Sequence, residues 1–153
     1  MDEEKKPTTS NRLILIDKDR IFRIDSRRIA FLVIFLVMFI VTEIGRKIYR
    51  PFIYANDIFD FWIADTIGNF TGTIAIVFFD LAGINPDYRQ GKTFILIITS
   101  GLIVYELLQY FSPKSITDWR DIVATVVAGL ISWGIYELLS KNKKEVNQAS
   151  KMY

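Results

Sequence analysis

Residues 29–44 read IAFLVIFLVMFIVTEI, a run with no formal charge before Glu43. It has no polar face to turn toward water, so periodicity does not decide its surroundings. Length and polarity do: as a helix rising ~1.5 Å per residue, it crosses or nearly crosses a ~30 Å hydrocarbon core. Residues 61–79, 93–111 and 122–139 meet the same criterion. The expected fold is an all-α membrane protein, a four-helix transmembrane bundle over residues 29–140, with an arm at 1–28 and a tail at 141–153.

Composition agrees. Of 153 residues, 51% are hydrophobic and fall in blocks, while the 24% that are charged gather in the tails and the gaps, which excludes a disordered chain and a water-soluble sandwich. The chain has no Cys and no His. A thiolate nucleophile, a disulfide framework, a Cys/His zinc site and an imidazole base are therefore excluded together, and no metal or cofactor is expected. A net charge of +2, with basic residues split between the ends and no interleaved aromatic platform, argues against nucleic acid.

Those basic residues order the chain across the bilayer. Fourteen lie on one side: Lys5, Lys6, Arg12, Lys18, Arg20, Arg23, Arg27 and Arg28 in the arm, Arg89 and Lys92 in the middle, and Lys141, Lys143, Lys144 and Lys151 in the tail. Arg46, Lys47, Arg50, Lys114 and Arg120 lie on the other. The positive-inside rule puts both termini in the cytoplasm of a multi-pass protein. A cleaved signal peptide does not fit, because a long arm precedes the first block and no small-x-small pattern follows it. Within the arm, Leu13 to Ile16 and Ile21 to Ile24 flank a charged stretch, which predicts a short hairpin or a segment on the membrane surface.

With that threading, the polar residues of the spans collect at the outer end: Glu43, Asp65, Asn69, Glu106, Gln109 and Asp121. Glu43, Gln109 and Asp121 fit residues at the water boundary, whereas Asp65 and Glu106 read as lying a turn or more inside the apolar stretch, where a carboxylate needs a partner or a hydrated cavity. Glu137, toward the inner end, reads as reaching interfacial water. Ser100 and Gly101 are the only mid-membrane hint of irregular backbone, and such residues more often serve packing. Tyr49, Phe52, Tyr54, Phe61 and Trp62 are expected to crowd the first outer loop, and Tyr110, Phe111 and Trp119 to flank the second, as an interfacial belt.

The two halves are alike. Asp65, Gly68, Asn69 and Gly72 align with Asp121, Ala124, Thr125 and Ala128, which suggests two parallel-repeated helical hairpins. Small residues four apart let helices approach closely and should draw the acids toward the axis. Together with Arg46, Lys47, Arg50, Lys114 and Arg120, the acids form a mixed-charge surface suited to a zwitterionic or sugar-phosphate headgroup. A charge-paired structural network reads the same way, and general acid and base work by Glu106 and Asp121 is a further alternative. A through-channel is disfavoured because residues 32–39 and 74–79 are almost wholly apolar.

The segment Glu106-Leu107-Leu108-Gln109-Tyr110-Phe111-Ser112-Pro113, followed by Asp118 and Asp121-Ile122-Val123-Ala124, resembles the VanZ-like family of small bacterial membrane proteins. Glu106, Gln109, Pro113 and Asp121 match its pattern over about 30 residues. The chain departs from the pattern where the loop arginine is missing near Ser115, where Thr125 replaces Asn, where Ala128 replaces Gly, and in the first half, which lacks the His of relatives. Arg120 is placed to supply the absent charge. The resemblance implies a protein of the bacterial cytoplasmic membrane and cell envelope, linked through its founding member to teicoplanin resistance. Glu106, Gln109, Asp121, Asp65 and Asn69, with Glu43 and Arg120, are then expected to bind or reorganise a polar envelope ligand. The alternatives are an enzyme acting on an envelope lipid or lipid-linked precursor, and a structural subunit with a membrane protein partner.

Overall fold

The computed structural model describes residues 25–109 and 118–149, with side chains as far as residue 140. The segment expected to form an N-terminal hairpin, and Tyr110, Phe111, Pro113 and Lys114, lie outside the described residues. All regular structure among the described residues is helical. Helix α1 (Ser26–Ile44) passes through a π-helical turn (Gly45–Tyr49) into α2 (Arg50–Ala55), and α3 (Ile63–Ile84), α4 (Tyr88–Gln109) and α5 (Trp119–Ala149) follow. Four stretches are long and apolar enough to cross a membrane, namely Ser26–Ala55, Ile63–Ile84, Tyr88–Gln109 and Trp119–Ser140. The chain is a multi-pass membrane protein. Outward-facing Val33, Leu36, Ile40, Leu96, Ile97 and Leu130 present the apolar surface that a bilayer requires.

Packing places α3 at the centre. It lies along α1 on one side and α5 on the other, and α4 packs chiefly on α5. Two hairpins side by side would produce this order, with α3 and α5 inside and α1 and α4 outside. Asp65 and Asp121 are each the third residue of their helices, so the aligned segments also share a helical register.

The two ends of the bundle are filled differently. At the end where α1 starts, Phe31, Phe78, Leu81 and Tyr136 are fully buried with Ile74, Val77 and Ile95, and the Phe31 ring lies 5.6 Å from Phe78 and 5.8 Å from Tyr136. The turn between α3 and α4 is locked there. Asn85 adopts the left-handed conformation at φ 46, which its short polar side chain tolerates, and its N–H closes on the Leu81 carbonyl at 2.9 Å. Arg27 donates to Asn85 Oδ1 and to the Pro86 carbonyl, each at 2.9 Å, fastening the start of α1 to that turn. Asp25 caps α1 by accepting from the Arg28 N–H at 2.9 Å. Midway, Thr42 and Thr71 share a 2.7 Å hydrogen bond between α1 and α3.

Close helix approach also uses small residues outside the aligned segments. A methyl group added at Gly91 would overlap the Tyr136 phenol, and one at Gly129 would stand 2.5 Å from Thr99, so these glycines bring α4 and α5 together. Gly68 and Gly72 face Arg46 and Thr42 of the first span, the helix on which α3 packs most extensively, and Ala124 and Ala128 are buried.

Other features differ from the sequence reading. The irregular backbone is at Gly45–Tyr49, where the Arg50 N–H bonds to the Gly45 carbonyl five residues back, while α4 runs unbroken through Ser100 and Gly101. Pro51 follows at once. It lacks an N–H, and the widened turn absorbs both that loss and the bulk of its ring. Tyr49, Phe52 and Tyr54 are consequently helical and do not lie in a loop. Glu137, expected to reach water alone, is ion-paired to Lys92 and accepts a hydrogen bond from Tyr88, with the Lys92 ammonium 4.4 Å from the Tyr88 ring centre. Asp80, an acid of α3 near this same end, was passed over in reading the spans as polar at one end only.

Candidate functional site

At the opposite end, where α3 and α5 begin, the side chains are small or polar and the helices leave a cavity of about 590 Å³. Every span contributes to its wall. Arg46, Arg50 and Tyr54 come from the first, Asp65, Gly68 and Asn69 from α3, Tyr105, Glu106 and Gln109 from α4, and Asp121 from α5, with Asp118 just ahead of it.

The first wall is built by the π-helical turn and α2. Arg46, Arg50 and Tyr54 recur every fourth residue and reach the cavity together. Arg50 donates to the Tyr54 hydroxyl at 3.2 Å and approaches Asp65 at 3.7 Å, and the Tyr54 hydroxyl donates to Asp65. These three side chains hold one another in place. Arg46 lies along Gly68, where an added methyl would stand 3.6 Å from its chain, and it makes no ion pair among the described residues.

The second wall is acidic. Glu106 is 8% exposed, and Gln109 donates to it at 3.4 Å. Asp121 interacts electrostatically with Glu106, and Asn69 lines the same cavity beside it. Neither Glu106 nor Asp121 forms an ion pair among the described residues. Asp118 caps α5, accepting from the Arg120 N–H at 3.1 Å, and pairs with the Arg120 guanidinium at 3.3 Å. Asp65 and Asp121, both in a first helical turn, sit where the backbone N–H groups favour negative charge. That position also corrects the reading of Asp65 as a residue a turn or more inside its span.

Five of the seven residues expected at the site, Glu106, Gln109, Asp121, Asp65 and Asn69, line this single cavity. Glu43 and Arg120 do not. Glu43 points along the surface of its own helix to Lys47, 2.6 Å away, because the π-helical turn sets the cavity face of this span at Arg46 and Arg50. Arg120 is turned outward onto Trp62, its guanidinium carbon 4.1 Å from the ring centre. Tyr54, Tyr105 and Asp118 were not anticipated. The four-residue spacing of Arg46, Arg50 and Tyr54 was the available signal for the first of these, and nothing in the sequence marked Tyr105.

The loop before α3 lines a second hollow that shares Tyr54 and Asp65 with the cavity. Phe61 and Trp62 hold left-handed backbone at φ 57 and 64, an arrangement costing about 1–3 kcal/mol per residue when the side chain is bulky. Asp60 offsets that strain by accepting from the Ala64 N–H at 2.7 Å and from the Tyr49 hydroxyl at 3.1 Å. The exposed rings of Phe59, Phe61 and Trp62 cluster outside. Amphipathic and aromatic rings of this kind settle at the headgroup level of a bilayer.

Comparison with models of known families, with curated proteins and with solved structures finds no match to this chain. The functional reading rests on the residues and their arrangement.

Proposed function

We propose that this chain is a VanZ-like protein of the bacterial cytoplasmic membrane, with both termini in the cytoplasm, whose cavity opens on the outer side and binds a polar group of a cell-envelope ligand. Sequestering or reorganising that ligand would limit glycopeptide access and contribute to teicoplanin-type resistance. One observation carries the reading: acids and amides from three helices, together with two arginines from the remaining span, meet around one cavity, although they are scattered over residues 46–121. Charged groups at a membrane boundary are costly to hold together unless something polar occupies the space between them. The family-like spacing of Glu106, Gln109 and Asp121 supports the same reading from sequence.

The test is the double variant Glu106→Gln, Asp121→Asn, expressed in a teicoplanin-sensitive bacterium beside the unaltered protein. Protection should be lost while the variant still accumulates in the membrane. Full protection by the double variant would sink the proposal. A second reading draws on the electrostatic interaction between Glu106 and Asp121, which is an arrangement usable for proton transfer. Turnover of a labelled envelope lipid by the purified protein, abolished by Asp121→Asn, would replace binding with catalysis.

A further inference from the structure

Pairing within the cavity walls leaves a definite remainder. Arg50 is engaged by Asp65 and Tyr54, and Asp118 by Arg120. What stays without a close ion pair among the described residues is one guanidinium, Arg46, on the first-span wall, whose charge otherwise acts on Glu43 of its own span, and two carboxylates on the α4 and α5 wall, Glu106 and Asp121, the latter feeling Arg50 only from beyond ion-pair distance. Glu106 is more than nine-tenths buried, and its one hydrogen bond among the described residues, from Gln109, is long. A buried carboxylate retains unmet acceptor capacity unless donors reach it, and a guanidinium forks naturally onto a phosphate.

Resting on the binding reading above, we infer that the ligand is a phosphodiester carrying a primary amine. Its phosphate lies on Arg46, and its ammonium lies between Glu106 and Asp121. The amine is primary rather than quaternary, because a quaternary ammonium offers no N–H and is held by a cage of aromatic faces. Here the acidic wall supplies carboxylates and the Gln109 and Asn69 amides, and the lining rings are Tyr54, already bonded to Arg50 and Asp65, and Tyr105, which is exposed. A sugar phosphate would satisfy Arg46 but bring no cation to the two carboxylates. The cavity lies at the end of the spans beside the aromatic loop, at the depth where lipid phosphates and amines lie.

The full chain, reconstituted in nanodiscs containing equal amounts of phosphatidylethanolamine, phosphatidylcholine and phosphatidylglycerol of identical acyl chains, is released and its retained lipids are counted by native mass spectrometry. Phosphatidylethanolamine should be retained about tenfold over either other lipid, the scale of one charge-assisted contact. Arg46→Ala, Glu106→Gln and Asp121→Asn, each checked for accumulation and unchanged melting, should remove most of that preference. Soluble glycerophosphoethanolamine identifies the source: displacement of the retained lipid by it means that the headgroup is recognised alone, and failure to displace means recognition of a lipid-borne headgroup. Either result upholds the assigned chemistry provided the preference depends on Arg46 and the two acids. Equal retention of ethanolamine and choline lipids overturns the inference. Should phosphatidylglycerol be retained in a Glu106-dependent way, this inference falls and the binding reading stands; if no lipid responds to any of the three substitutions, both fall.

Discussion

Gly91 is the residue with the least room to change. The Tyr136 ring lies against its Cα, and the Tyr136 hydroxyl donates to the Asp87 carbonyl at 3.2 Å, so the ring cannot swing aside without losing that bond. Gly91→Ala should lower stability by about 1–3 kcal/mol through overpacking, read as a drop in melting temperature of the purified protein in detergent. Combining it with Tyr136→Leu should cost less than the sum of the two single changes, because the leucine removes the atoms that the new methyl meets. At this scale the site was largely legible in advance. Acids and amides inside apolar stretches are expensive, so Glu106, Asp65 and Asn69 stand out in the sequence. Arg46 and Arg50 read as two of five basic residues around the acids, since a sequence does not say which side chains at a span's end turn inward.

Among the elements, the π-helical turn has the greatest effect on the site. It inserts one residue into the first span, and everything beyond it is rotated relative to a continuous α-helix. Deleting Lys47 together with Ile48, both exposed, should restore α-helical winding with the first residue lost and, with the second, turn Arg50 and Tyr54 by roughly 100° away from their present direction. The expected outcome is a protein that accumulates normally, loses teicoplanin protection and no longer retains its preferred lipid. Retained protection in the deletion variant would show that the first-span wall does not take part. This turn was not legible. Gly45 is followed by charged and apolar residues that fit an ordinary helix, and Pro51 marks an interruption without fixing its form, which the close packing of Gly45 on Ile67, where an added methyl would lie at 3.0 Å, accompanies in the folded protein. The same limit applied to Glu137, whose partners Tyr88 and Lys92 are more than forty residues away in sequence.

For the whole molecule, the threading makes a clean prediction because the chain has no cysteine. Single cysteines placed at Asn56, between α2 and α3, and at Ser10, in the arm, should label differently in intact cells. A membrane-impermeant maleimide should reach the first from outside and the second only after permeabilisation. The opposite pattern would reverse the proposed orientation and place the cavity on the cytoplasmic side. The number of spans, their approximate positions, the all-helical class and the meeting of Asp65, Glu106 and Asp121 at one end followed from the sequence by itself. A bilayer accepts only segments of a given length and polarity, and that requirement acts residue by residue along the chain. How far the first helix continues, which arginines enter the cavity, why Glu43 and Arg120 stay out of it, and which glycines bring α4 and α5 together were decided by the tertiary structure alone. Each depends on the rotation of a helix about its axis and on its depth, and those are set by the shapes of neighbouring side chains distant in sequence.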